Sequence, residues 1–398
     1  MWRRWLVSGI LIGTVVASPG AECHGPAHIE SAIQNSPSAN AYTALGAWFA
    51  QNHELSCAIS SFDQALKLNP NSFEGHFDLA LALMQGNQQE KGIAEFRRAV
   101  HLRPDSAAAR GALGSALQDA GQLDEAKREL ESALQLDKIS VFALDHLGQI
   151  YSIQRRYAPA IDMWKHAAAL SPKDADLQIE LGIAYSNNGN PKQAIQILSA
   201  LAHAAPNSTL AHFNLATVYA GQKMFREAAD EYRAALQLEP SNDVTRLALV
   251  KAYLSIANYQ DALSPAEDYV RRKPEDPEGH FLLGSVYRGA ARYPEAEREL
   301  KRAVQSNPND YGIRYDLGFV LAHETKPEEA LPQLEKALEL RPNSSEARFQ
   351  LAGVLKALHR NQEAAVELKK LQAEKNQNTE ESIAAATGSG ANKLLLEG

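Results

Sequence analysis

The residues able to do chemistry are few and scattered. Cys23 is followed by His24 and His28, and the only other cysteine of the chain, Cys57, stands apart. Thiolate and imidazole suit zinc, but a closed site takes four ligands in a tetrahedron and this cluster offers three. No metal is expected there. Cys57 reads as a buried thiol or, if the chain enters an oxidising compartment, as the disulfide partner of Cys23. His76, His212 and His280 are far apart in sequence, so they do not read as one ligand set. The chain has no glycine-rich phosphate cradle, nucleophile elbow or C-x-x-C-H haem attachment. Asn207-Ser208-Thr209 and Asn343-Ser344-Ser345 fit glycosylation acceptors, a pattern common by chance. The expectation is a non-enzyme with no catalytic residue, cofactor or metal.

Composition narrows the class. The chain has 398 residues, 45% of them apolar and 22% charged, and a net charge of −8. That apolar fraction excludes global disorder. The acidic balance argues against a nucleic-acid partner, which needs a basic surface to neutralise phosphates. Only 7% is aromatic, which suggests many small helix–helix contacts rather than one large core.

The N-terminus has the pattern of a secretory signal: Arg3 and Arg4, an uncharged run over residues 5–16, then small residues with cleavage points after Ala17 or Ala21. The run is shorter than the ~20 residues that cross a bilayer. Arg3-Arg4-Trp5-Leu6-Val7 partly resembles a twin-arginine signal, and Glu22 breaks a lipobox before Cys23. The expectation is a signal peptide over 1–21, a linker over 22–38, and an exported protein, periplasmic or secreted and bacterial, with no stable membrane span after cleavage.

The elements that carry these residues come from a repeat. Ten consecutive units of 34 residues begin at Ala39, Phe73, Ala107, Val141, Ala175, Thr209, Asp243, Pro277, Tyr311 and Ser345. Position 7 is leucine in all ten units, from Leu45 to Leu351. Position 8 is glycine or alanine except at Val250, position 20 is alanine except at Gly92, and position 32 is proline in eight. Positions 4, 7, 8 and 11 share one face of a first helix, and 20, 24 and 27 one face of a second. Small residues at 8, 20 and 27 let the backbones approach, and large ones at 7, 11 and 24 fill the space between. Proline at 32 ends the second helix. The three histidines all fall at position 4, where they read as substitutes for a packing residue. Unit 7 is irregular, with Val250, Ala266, Tyr269 and Pro265 inside its second helix; either a kink near Pro265 or a helix that starts late would accommodate the proline. Residues 379–398 read as a capping helix and a flexible tail.

The period, the small residues at 8 and 20 and the terminal proline resemble the tetratricopeptide repeat, over residues 39–378. That resemblance implies an all-α, right-handed solenoid whose first helices line a concave face, with positions 2, 5, 9, 12 and 13 turned into it. Carried over, those positions give Phe77, Leu81, Ile179, Ile183, Phe213, Leu247, Lys251, Phe281, Arg288, Tyr315, Phe319 and Phe349 as candidate peptide-binding residues. Asp119, Asp145, Asp176 and Lys356 are further charged positions on that face. Two readings of position 5 stay open: a ladder that binds apolar side chains, or residues that seal seams between units. The implied function is a scaffold or adaptor for a protein or peptide partner. The alternative is an accessory subunit of an exported, glycosyltransferase-like enzyme or of an envelope, pilus or secretion assembly machine, with catalysis supplied in trans.

Overall fold

The computed structural model describes residues 23–373. The expected signal peptide and the expected helix and tail over 379–398 lie outside the described residues. Those described are helical throughout, without a strand. After α1 (Ala27–Asn35), helices follow in pairs. First helices are α2 (Ala39–Gln51), α4 (Phe73–Gln85), α6 (Ala107–Asp119), α8 (Val141–Ile153), α10 (Ala175–Asn187), α12 (Thr209–Gly221), α14 (Asp243–Ser255), α16 (Pro277–Gly289), α18 (Tyr311–His323) and α20 (Ser345–Ala357). Second helices are α3 (Leu55–Leu68), α5 (Gln89–Leu102), α7 (Leu123–Leu136), α9 (Tyr157–Leu170), α11 (Pro191–Ala204), α13 (Phe225–Leu238), α15 (Tyr259–Arg272), α17 (Tyr293–Ser306) and α19 (Pro327–Leu340). A last one, α21, is described over 361–373. No helix among the described residues is long and apolar enough to cross a membrane.

Local chemistry sets the ends of each pair. A serine, asparagine or aspartate at position 34 of the preceding turn accepts a backbone N–H from the first turn of the next helix, as Ser72 does from Gly75 at 3.0 Å and Asp310 from Ile313 at 2.9 Å. The turn inside each pair puts position 15 in the left-handed region: His53, Asn87, Gly121, Arg155, Gly189, Lys223, Ala257, Ala291, Thr325 and His359. Only two are glycine, although a side chain is disfavoured there. Position 8 then meets position 24. A Cβ on Gly148 would stand 2.6 Å from Trp164, and one on Gly284 2.7 Å from Leu300.

The chain divides into two bodies between Leu177 and Gln178, and each is an α-solenoid in which a helix packs on the next and first helices touch first helices. In the first body, α1 lies on α2, and Cys23 is joined to Cys57 of α3 by a disulfide with Cα atoms 5.7 Å apart. Its core holds Phe49, Phe62, Leu79 and Leu83 at the start, then Phe96, Leu117, Leu130 and Leu147. Trp164 of α9 is buried, and its Nε1 donates to Asp145 of α8 at 2.9 Å. In the second body, Leu198, Leu215 and Val218 form one cluster, and a longer one runs from Ala216 to Ala364.

Unit 7 is not built around a late helix. Its second helix, α15, begins at Tyr259, at the same position of the unit as its counterparts, and runs through Pro265. The size columns are exchanged instead: buried Val250 at position 8 stands where Ala266 at position 24 is small. Tyr269 at position 27 occupies room left by Gly279 of the next helix, where a Cβ would be 2.7 Å from its ring. The Tyr269 hydroxyl donates to Asp276.

Candidate functional site

Apart from buried Leu144, the position-4 column among units 2–10 is polar rather than a packing column. His76 directs Nε2 to the carbonyl of Pro70 at 2.9 Å and Nδ1 to Glu95 at 2.5 Å. His212 does the same with Pro206 and Glu231 at 3.1 and 2.6 Å, and His280 with Pro274 and Glu299 at 2.8 and 2.7 Å. A carbonyl only accepts, so Nε2 is the donor in the prolyl contact. Arginine makes the same bracket elsewhere: Arg110 reaches Pro104 and Glu129, Arg314 reaches Pro308 and Gln333, and Arg348 reaches Pro342 and Glu367. Each bracket ties the last turn of one unit to the second helix of the next. In unit 7, where Pro265 takes the acidic position, Arg246 pairs instead with Asp243 at 2.6 Å and Asp268 at 2.9 Å. No group of three or more His, Cys, Asp or Glu among the described residues is arranged to hold a metal ion.

The first-helix face of the first body is divided between aromatic and amide groups. Phe77 is half-buried, edge-on to Phe96 at 5.6 Å and stacked on Phe73 at 5.9 Å. Leu81 packs on the same cluster. Asp145 serves as the acceptor for buried Trp164. Gln118 donates to Gln149 at 2.9 Å and pairs with His146 at 2.9 Å. Asp119 and Asp176 are exposed.

The face of the second body is richer in apolar residues, with Glu278 and Glu346 among them at position 2. Ile179 is buried, while Ile183, Phe213, Leu247, Phe281, Tyr315 and Phe319 are half-buried. Phe213 leans on Tyr232 at 5.7 Å. Phe281 fills the space beside Gly312 of α18, where a Cβ would be 2.9 Å from its ring. Tyr315 stacks on Tyr311 at 6.0 Å and faces Phe319, which stacks on His323 at 4.0 Å. Beside them, Leu210 is 58% exposed, Val244 68% and Phe349 60%. At helical spacing, Leu210 with Phe213 and Val244 with Leu247 share a face, so half-buried residues are extended outward by exposed ones.

The cations of this face are unequal. Lys251 is closed by Glu278, Nζ to Oε1 2.6 Å. Arg288 lies with Cζ 5.2 Å from the centre of the Phe319 ring and Nε 3.0 Å from Oδ1 of Asp316. The other oxygen of Asp316 accepts from the Ser285 hydroxyl at 2.6 Å. Burial pushes the Asp316 carboxyl up, partly offset by the Arg288 charge and the Ser285 bond. Sequence reasoning reached Arg288 but not Asp316 or Ser285. The signal available was a carboxylate at an otherwise inward position, 28 residues after an arginine.

Family models described as tetratricopeptide repeat match residues 44–107, 107–139, 153–216, 209–242, 247–311 and 321–386, most of the chain. No curated protein matches it. Among solved structures, a tetratricopeptide repeat protein from Parabacteroides merdae is 16% identical with a TM-score of 0.46, covering 63% of this chain and 98% of its own. The pilF protein of Pseudomonas aeruginosa is 21% identical with a TM-score of 0.45, covering 52% and 94%. YrrB, described as a TPR protein with an unusual peptide-binding site, is 22% identical with a TM-score of 0.40, covering 46% and 95%.

Proposed function

The chain belongs to the tetratricopeptide repeat family, and we propose that it is a non-catalytic scaffold that binds a protein or peptide partner on the first helices of its second body. The observation that carries this reading is the strip from Leu210 to Phe349. Phe213, Leu247, Phe281, Tyr315 and Phe319 pack on the core while half-exposed, and Leu210, Val244 and Phe349 stand in solvent beside them. Such a surface gains by covering apolar area, about 25 cal/mol per Å², and a segment laid across several units sums many small contacts.

The test separates binding from stability. Leu210→Ser and Val244→Ser remove exposed apolar groups, so Tm should move by no more than about 1–2 °C. Binding of apolar peptides of about twelve residues to the full chain should fall several-fold. Unchanged binding in the double variant would count against this face.

Export belongs to the same proposal. It is supported by the signal-like pattern over residues 1–21 and by the Cys23–Cys57 disulfide, since such bonds persist in oxidising compartments. Intact mass of the protein recovered from a bacterial periplasm should show loss of 17 or 21 N-terminal residues. Recovery of uncleaved chain from the cytoplasm alone would contradict it.

A further inference from the structure

We propose that Arg288 determines the specificity of this face by selecting an acidic side chain within an otherwise apolar peptide, an inference that rests on the binding face described above. Its stem and one edge are fixed. Nε is buried and faces Asp316 without hydrogen-bond alignment. Asp316, 5% exposed, is itself held by Ser285, and the guanidinium lies over Phe319. The side chain is still 28% exposed. Among the described residues neither terminal amine has a hydrogen-bond or ion-pair partner. Two parallel donors on a rigid plane match the two oxygens of a carboxylate. Lys251 does not compete for that role, because Glu278 occupies it.

The occupant follows from what surrounds the guanidinium. Phe213, Val244 and Leu247 precede Arg288 along the stack, and Tyr315, Phe319 and Phe349 follow it. Apolar surface on both sides calls for a ligand chain that continues in both directions. The carboxylate therefore belongs to an internal aspartate or glutamate, not to a chain terminus.

An array of end-blocked peptides of about twelve residues, spanning about 40 Å when extended, tests this with the full chain. Flanks are randomised over alanine, leucine, valine and phenylalanine, the centre is glutamate or glutamine, and a parallel set leaves the C-terminus free. Glutamate peptides should bind about tenfold tighter than their glutamine twins, a difference of about 1.4 kcal/mol. Arg288→Gln should bring both to the weaker value without weakening the glutamine set. Equal binding of the twins by the wild-type chain overturns the role of Arg288 and leaves the apolar face standing; that comparison needs no variant to fold. A preference confined to free C-termini, or one that survives Arg288→Gln, also overturns it. Retention of no peptide at all removes the binding face, and this inference with it.

Discussion

Gly148 and Ala291 show how single positions set the pair geometry. A methyl on Gly148 would enter the ring of Trp164, which cannot swing aside because its Nε1 is held by Asp145. Gly148→Ala is therefore expected to cost about 1–3 kcal/mol, read as a lower midpoint in urea. Ala291 shows the opposite case. It holds φ 57° without a glycine's freedom, so Ala291→Gly should add a few tenths to about 1 kcal/mol, the left-handed penalty less the entropy glycine loses on folding. A destabilised Ala291→Gly chain would refute the strain argument. Position 8 was legible as a small-residue column. Position 15 was not, because His, Asn, Arg, Lys, Ala, Thr and Gly all occupy it: the turn is imposed by the helix pair and overrides residue preference.

Between elements, the recurring device is the bracket from position 4 to the preceding prolyl carbonyl and to the acidic residue of the second helix. Removing His280 leaves Glu299, 4% exposed, without its partner on α16. His280→Ala should cost about 1–3 kcal/mol, whereas His280→Arg should retain most of the stability, since Arg110 and Arg348 close the same bracket. Equal losses in both would show that the bracket contributes nothing beyond packing. The bracket could have been read from sequence by pairing columns 19 residues apart: Glu95, Glu129, Glu231, Glu299, Gln333 and Glu367 answer every histidine and arginine of position 4 except Arg246, which meets Pro265, and Met163 answers Leu144. A single column shows only a departure from packing residues. The exchange of Val250 with Ala266 was hidden for the same reason, and unit 7 looked weaker than its contacts make it.

At the scale of the molecule, the 34-residue period made the helix pairs legible, and position 5, apolar or aromatic in every unit from Ile179 to Phe349, already set the later face apart from the earlier one, while the division into two bodies left no periodic signal. The disulfide acts at one end. It closes a separation of 34 residues, for which chain entropy gives about 3–4 kcal/mol. Reduction should therefore remove hydrogen-exchange protection from residues 27–68 and leave that of 209–357 unchanged; unaltered protection of 27–68 would show that the bond does not hold this end. The central claim is that the first helices of the second body bind a partner segment. Hydrogen exchange of the full chain, with and without a saturating peptide selected on the array, tests it most directly. The account predicts added protection in α12, α14, α16 and α18 and none in α13, α15 and α17. Protection confined to the second helices would contradict it.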